Sequence, residues 1–157
     1  MKKIYLFTLF LLGLCSCANN QETADKSEID STKTRSVEVK SVRDYVESNE
    51  FISIIPDEYY SLREKGRASK EEIKSADYQM KAAAYRFYKH CTQNEDGIIT
   101  CNAESGKDIN ISEEIFELRI RDMESCNEWV RKCKREGKNY KITRLDEKYF
   151  NGLLNYE

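Results

Sequence analysis

Residues 69–91 read SKEEIKSADYQMKAAAYRFYKHC, and the spacing of apolar side chains within them sets the architecture. Ser69, followed three residues later by Glu72, forms a capping box, in which a hydroxyl and a carboxylate satisfy backbone N–H groups that a first helical turn leaves open. Ile73, Ala76, Met80, Ala83, Ala84, Phe87 and Cys91 then recur at steps of three and four. That spacing lines them along one face of a helix of about six turns. It also turns Phe87 inward and sends Arg86 and Lys89 outward.

A second helix is announced by Ile111-Ser112-Glu113-Glu114-Ile115-Phe116, where Ser112 caps and Ile111 is placed to staple onto Phe116. Its face continues through Ile120, Met123, Cys126, Val130 and Cys133, and Gly137 ends it. The two long amphipathic helices, about 69–91 and 112–136, predict a mainly α, small helical domain. Between them Asn94-Glu95-Asp96-Gly97 is a turn signal and Ile98-Ile99-Thr100 a β-branched run, so a short β-hairpin is expected there. Val42, Tyr45 and Val46 predict a short helix, and Pro56 opens three more turns closed by Gly66. Residues 139–145 read as a brief strand, after which Asp146 caps a terminal helix carrying Tyr149, Phe150, Leu153 and Leu154.

The chain has 28 acidic and 26 basic residues, mixed along its length, a single proline and 34% charged residues. A mild net negative charge argues against nucleic acid as a partner. Residues 19–36, NNQETADKSEIDSTKTRS, hold one isoleucine and no aromatic residue, too little apolar surface to offset the entropy of ordering. They read as a tether with an r.m.s. span of about 25 Å. The expected organisation is residues 1–16 as an export signal, 17–38 as modified N-terminus and tether, and 39–157 as one helical domain.

The export signal rests on Met1-Lys2-Lys3, an apolar run from Ile4 to Leu14 and a polar turn after Ala18. The run falls well short of the roughly 20 apolar residues that span a bilayer. Leu14-Cys15-Ser16-Cys17 resembles the lipobox of bacterial lipoproteins, with Cys17 as the modified cysteine, Leu14 at minus three and the small Ser16 at minus one. The resemblance implies a chain anchored through acyl groups, palmitate among them, on Cys17. Two or three chains hold a protein on a membrane essentially permanently, at about 0.8 kcal/mol per buried methylene. Ala18 after the anchor points to the outer membrane, facing the periplasm, with surface display as a further option.

Four cysteines remain, Cys91, Cys101, Cys126 and Cys133, and an exported chain is read for disulfides first. On an unbroken helix Cys126 and Cys133 lie about 10.5 Å apart along the axis, beyond the roughly 7 Å limit for a bridge. Either Cys91 and Cys101 close the hairpin, or both cross to the second helix. The second outcome is the expectation, since it consumes all four and makes a disulfide-stapled fold. Zinc is disfavoured because the pairs lack the short knuckle spacing, and no metal or other cofactor is expected.

His90 is the single histidine; beside Cys91 on a helix it would point about 100° away, so no Cys-His pair forms. Asp57-Glu58, Glu71-Glu72 and Glu113-Glu114 each fall in a first helical turn, where the macrodipole favours negative charge. YRFYKH, residues 85–90, interleaves aromatic and basic residues as single-strand binders do, but helical spacing explains it as well. Tyr59, Tyr60 and Trp129 are the candidate interface residues. No catalytic residue is assigned. The expected function is a lipid-anchored binding module for an envelope protein, such as an inhibitor, immunity or accessory protein. The alternatives are a small envelope hydrolase using carboxylates and a structural component of an envelope assembly.

Overall fold

The computed structural model describes residues 39–64 and 68–156; the export signal, Cys17, the tether and Gly66 lie outside them. The described residues fall within one unit, Arg35–Glu157. Five helices, α1 (Val42–Ser48), α2 (Pro56–Glu64), α3 (Lys70–Lys89), α4 (Glu113–Arg135) and α5 (Glu147–Leu154), accompany a two-stranded antiparallel sheet of β1 (Cys91–Gln93) and β2 (Ile99–Cys101). A 3₁₀ turn, Gly106–Ile109, leads into α4. The mainly helical architecture with one hairpin is therefore as the sequence predicts. No helix among the described residues is long and apolar enough to cross a membrane.

The helices start where local chemistry starts them. Ser69 accepts from the Glu72 N–H at 3.1 Å while the Glu72 carboxylate accepts from the Ser69 N–H at 2.8 Å. Ser41 and Asp44 make the same reciprocal pair on α1. Hydrogen bonds from these serines hold both carboxyls below their ordinary values. The caps thus stabilise the fold above the unfolded carboxyl pKa, and that contribution is lost as pH falls through the lowered folded values. Ser112 and Asp146 cap α4 and α5 through the N–H groups of Ile115 and Tyr149.

Helix α3 is the axis of the domain, packed by α1, α2, α4 and α5. Ala76, Met80, Ala83, Ala84 and Phe87 are buried as their spacing predicts, yet so are Ser75, Tyr78, Lys81, Ala82, Arg86 and Tyr88. A stripe explains one packed face; neighbours on every side bury the rest. Ala82 and Ala83, fully covered, let those neighbours approach the α3 backbone closely. Lys81 escapes by laying its ammonium over the Tyr156 ring, 4.4 Å from its centre.

Arg86 corrects the outward placement expected for it. It is 7% exposed, and its guanidinium donates to the carbonyls of Glu50 (2.6 Å), Asn110 (2.7 Å) and Tyr45. The Tyr45 carbonyl lies within α1, and those of Glu50 and Asn110 belong to a strap linking the chain after α1 to the chain before α4. There Ile52 and Ile111 form a parallel bridge, the Ile52 N–H donating to Asn110 and the Ser112 N–H to Ile52. Asn49 and Asn110, both in the left-handed region, join side chains at 2.8 Å.

Two boundaries differ from expectation. Helix α3 stops at Lys89, because the His90 carbonyl accepts from the Asn102 N–H at 2.8 Å, so Cys91 opens β1 instead of closing the helix. Residues 139–145 form no strand. They lie against the hairpin through side chains: Arg144 donates to the Asn94 and Glu95 carbonyls, and Gln93 bonds the backbone at Thr143 and Leu145. Gly97, at φ 90°, sits so close under Ile142 that a Cβ would meet it at 2.7 Å.

At the end of α4, Gly137 adopts φ 61°, its N–H donating to Lys134 and that of Lys138 to Cys133, a Schellman motif. A Cβ at this position would meet nothing within 4 Å, so only backbone conformation resists substitution. Gly137→Ala is expected to cost about 1 kcal/mol, lowering the thermal midpoint by a few degrees, and Gly137→Asn less. Equal midpoints for wild type and alanine variant in a calorimetric scan would refute this account of the cap.

The expected disulfide ladder to α4 is not formed. Cys91, Cys101, Cys126 and Cys133 are free thiols, and Cys91 and Cys101 stand opposite each other in the hairpin register.

Candidate functional site

Among the described residues a concavity runs between β2 with the chain after it and one side of α4, with a volume of about 610 Å³. Its floor is apolar, from Ile99, Phe116, Ile120 and Met123. Around it stand Glu104, Glu124 and Glu128, all exposed, against a single cation, Arg131. Glu124 and Glu128 are one helical turn apart, so they share a face of α4. The surface therefore combines apolar contact area with an excess of negative charge.

Asn127 builds one wall. Buried to 5% exposure, it accepts from the Ile99 N–H and donates to the Ile99 carbonyl, both at 2.8 Å. Its amide thus completes β2 as a neighbouring strand would, and it blocks further pairing at Ile99. The sequence carried a signal for this residue: Asn127 falls at a step of four after Met123 and three before Val130, a polar side chain on an apolar face.

The residues singled out from sequence are dispersed. Tyr59 is not an interface residue: at 1% exposure it is core, with its hydroxyl donating to Asp77 at 2.8 Å. Tyr60 is half exposed and, with Phe51 and Ile55, is one of three exposed large apolar side chains among the described residues. Trp129 is half-buried against the Tyr140 ring, 5.6 Å centre to centre. His90 is exposed at the end of α3. The three acid pairs occupy first turns, and Glu113 accepts from the Gly106 N–H at 3.1 Å.

Two of the thiols, Cys91 and Cys126, are held in the protonated form. Burial, the neighbouring Cys101 and a hydrogen bond with it push the Cys91 thiol far up. Burial, then Asp122, raises that of Cys126. Nearby Tyr149 is pushed up to about 12, chiefly by burial. Thiols held protonated are weak nucleophiles and weak ligands, since the thiolate is the reactive form. Among the described residues no three His, Cys, Asp or Glu side chains gather as a metal site. No protein-family model matches this chain, and no similar curated protein or solved structure was found.

Proposed function

We propose that this chain is a lipid-anchored envelope protein whose helical head works by binding, with the groove between β2 and α4 as its contact surface. The partner is a protein segment carrying basic residues beside an apolar anchor, as an inhibitor, immunity or accessory protein would meet. The observation that supports this reading is the groove itself, an apolar floor bordered by Glu104, Glu124 and Glu128 with Arg131 as the counter-charge. Apolar area supplies affinity, and complementary charge supplies orientation and encounter rate. Anchorage at Cys17 with a tether of about 25 Å would hold such a head clear of lipid headgroups.

The same carboxylates are what a hydrolase would use, but all three are exposed. A general acid at neutral pH is made by burying a carboxyl in apolar surroundings, which favours binding over hydrolysis. Capture from envelope extracts distinguishes the readings when wild type is compared with a Glu124→Lys/Glu128→Lys variant of unchanged helicity. The wild type is expected to retain a basic partner and the variant to bind it at least about tenfold more weakly. Equal retention by both would remove the groove from consideration. Anchorage is tested separately: Cys17→Ser should abolish labelling by radioactive palmitate and release the chain from membranes.

A further inference from the structure

We propose that Cys91 and Cys101 are an oxidation site, a dithiol that closes into a cross-strand disulfide by exchange with a disulfide-bearing oxidant, whether a small molecule or a protein. The register sets the two residues directly opposite each other, with Thr92 opposite Thr100 and Gln93 opposite Ile99. The ladder bonds identify what kind of position this is. The Asn102 N–H donates to the His90 carbonyl and the Asn94 N–H to Ile98, so hydrogen-bonded pairs fall at 90/102, 92/100 and 94/98. Cys91 and Cys101 therefore occupy a non-hydrogen-bonded position. Asn127 confirms the alternation independently, since the Ile99 N–H and carbonyl that it engages point away from β1.

At such positions Cα atoms stand about 4.5 Å apart and side chains on the same face approach most closely. A disulfide accepts Cα separations of about 4.4–6.8 Å, so closure requires side-chain rotation and little backbone movement. In the reduced form each thiol donates to a nearby carbonyl, Cys91 to Phe87 at 3.3 Å and Cys101 to Ala103 at 3.8 Å, contacts that closure would exchange for the S–S bond. Neither α4 cysteine has this relation to another: Cys126 and Cys133 lie two turns apart along one helix, Cys133 buried.

The exchange is balanced without any other reagent. The Cys101 thiol, giving its proton to solvent, attacks a sulfur of R–S–S–R and expels R–S⁻, which takes up a proton from solvent; Cys91 then acts only within the mixed disulfide. The second thiol then attacks the mixed disulfide at the first cysteine and releases the second R–SH. Two thiols of this chain are oxidised and one external disulfide is reduced to two thiols. The bridge would fix the register of the strand that walls the groove. The chemistry itself stands whatever the groove binds.

The test uses the full chain, reduced and then equilibrated with oxidised glutathione, unfolded in an alkylating agent and digested with trypsin. No lysine or arginine lies between His90 and Lys107, so both cysteines fall in one peptide. That peptide is expected to lose about 2 Da and resist alkylation, while the peptides holding Cys126 and Cys133 show no link to it. In wild type, amide exchange at Gln93 to Cys101 should slow upon oxidation, whereas Cys91→Ser/Cys101→Ser should show no such change. Full alkylation of both cysteines, a persistent glutathione adduct on either, or a bridge from either to Cys126 or Cys133 would each overturn the proposal.

Discussion

Replacing Arg86 by methionine is expected to destabilise the domain by about 3–5 kcal/mol, the largest effect of any single substitution argued for this chain. The guanidinium donates to three carbonyls drawn from residues 24 to 41 positions away. It meets no carboxylate in these bonds; the Glu50 carboxylate is engaged by Lys40 at 2.7 Å. Its charge is thus matched by peptide dipoles, and burial lowers its pKa while nearby Glu50 opposes that shift. Methionine keeps the apolar stem but leaves the Glu50 carbonyl without its guanidinium donor and weakens the strap at Asn110. Against a total of about 5–15 kcal/mol for a domain, the loss should appear as a fall of about 10–20 °C in thermal midpoint. Lysine has a different reach and no planar fork, so Arg86→Lys should recover only part of it. Arg121→Met, at an exposed site on α4, should change stability by less than about 0.5 kcal/mol. A midpoint for Arg86→Met within about 2 °C of wild type would show that the strap holds without it.

Asn127→Ala should cost about 2–4 kcal/mol. It removes two hydrogen bonds at once and exposes the Ile99 N–H and carbonyl on the wall of the groove. Asn127→Asp separates the two contributions. An aspartate still accepts from the Ile99 N–H but sets a second acceptor against the Ile99 carbonyl, which raises its folded pKa. The sign then follows: the penalty is present above that raised value and relieved below it, where the protonated carboxyl regains a donor. Urea titrations at neutral and acid pH should show the aspartate variant closing part of its gap to wild type in acid. A gap that stays constant or widens would mean that the amide's donor role contributes nothing.

What a short window of residues can specify was legible from the sequence. Ser69, Ser112 and Asp146 set helix starts through bonds to groups three residues away, and Gly137 sets an end through its own φ. Asn94 to Gly97 turned the hairpin for the same reason, with the Gly97 N–H donating to Asn94 at 3.0 Å. The apolar stripe of α3 was equally visible, since periodicity is a property of one helix.

The tertiary structure decided everything that depended on a second element. Burial of α3 on all sides, and with it Arg86 and Lys81, follows from how many helices surround it. Tyr59 went into the core because Asp77 stood ready to accept a hydrogen bond from its hydroxyl. Residues 139–145 had strand-like composition, but the Gln93 side chain occupied their backbone at Thr143 and Leu145, while Arg144 of the segment donated to the hairpin carbonyls of Asn94 and Glu95. The sulfur atoms show the division best. Helical rise alone separated Cys126 from Cys133, a local constraint, whereas the register that set Cys91 against Cys101 arose only when the turn at Gly97 folded β2 back upon β1. Local bonds are written in adjacent residues; partners in space are chosen by packing that no single segment contains.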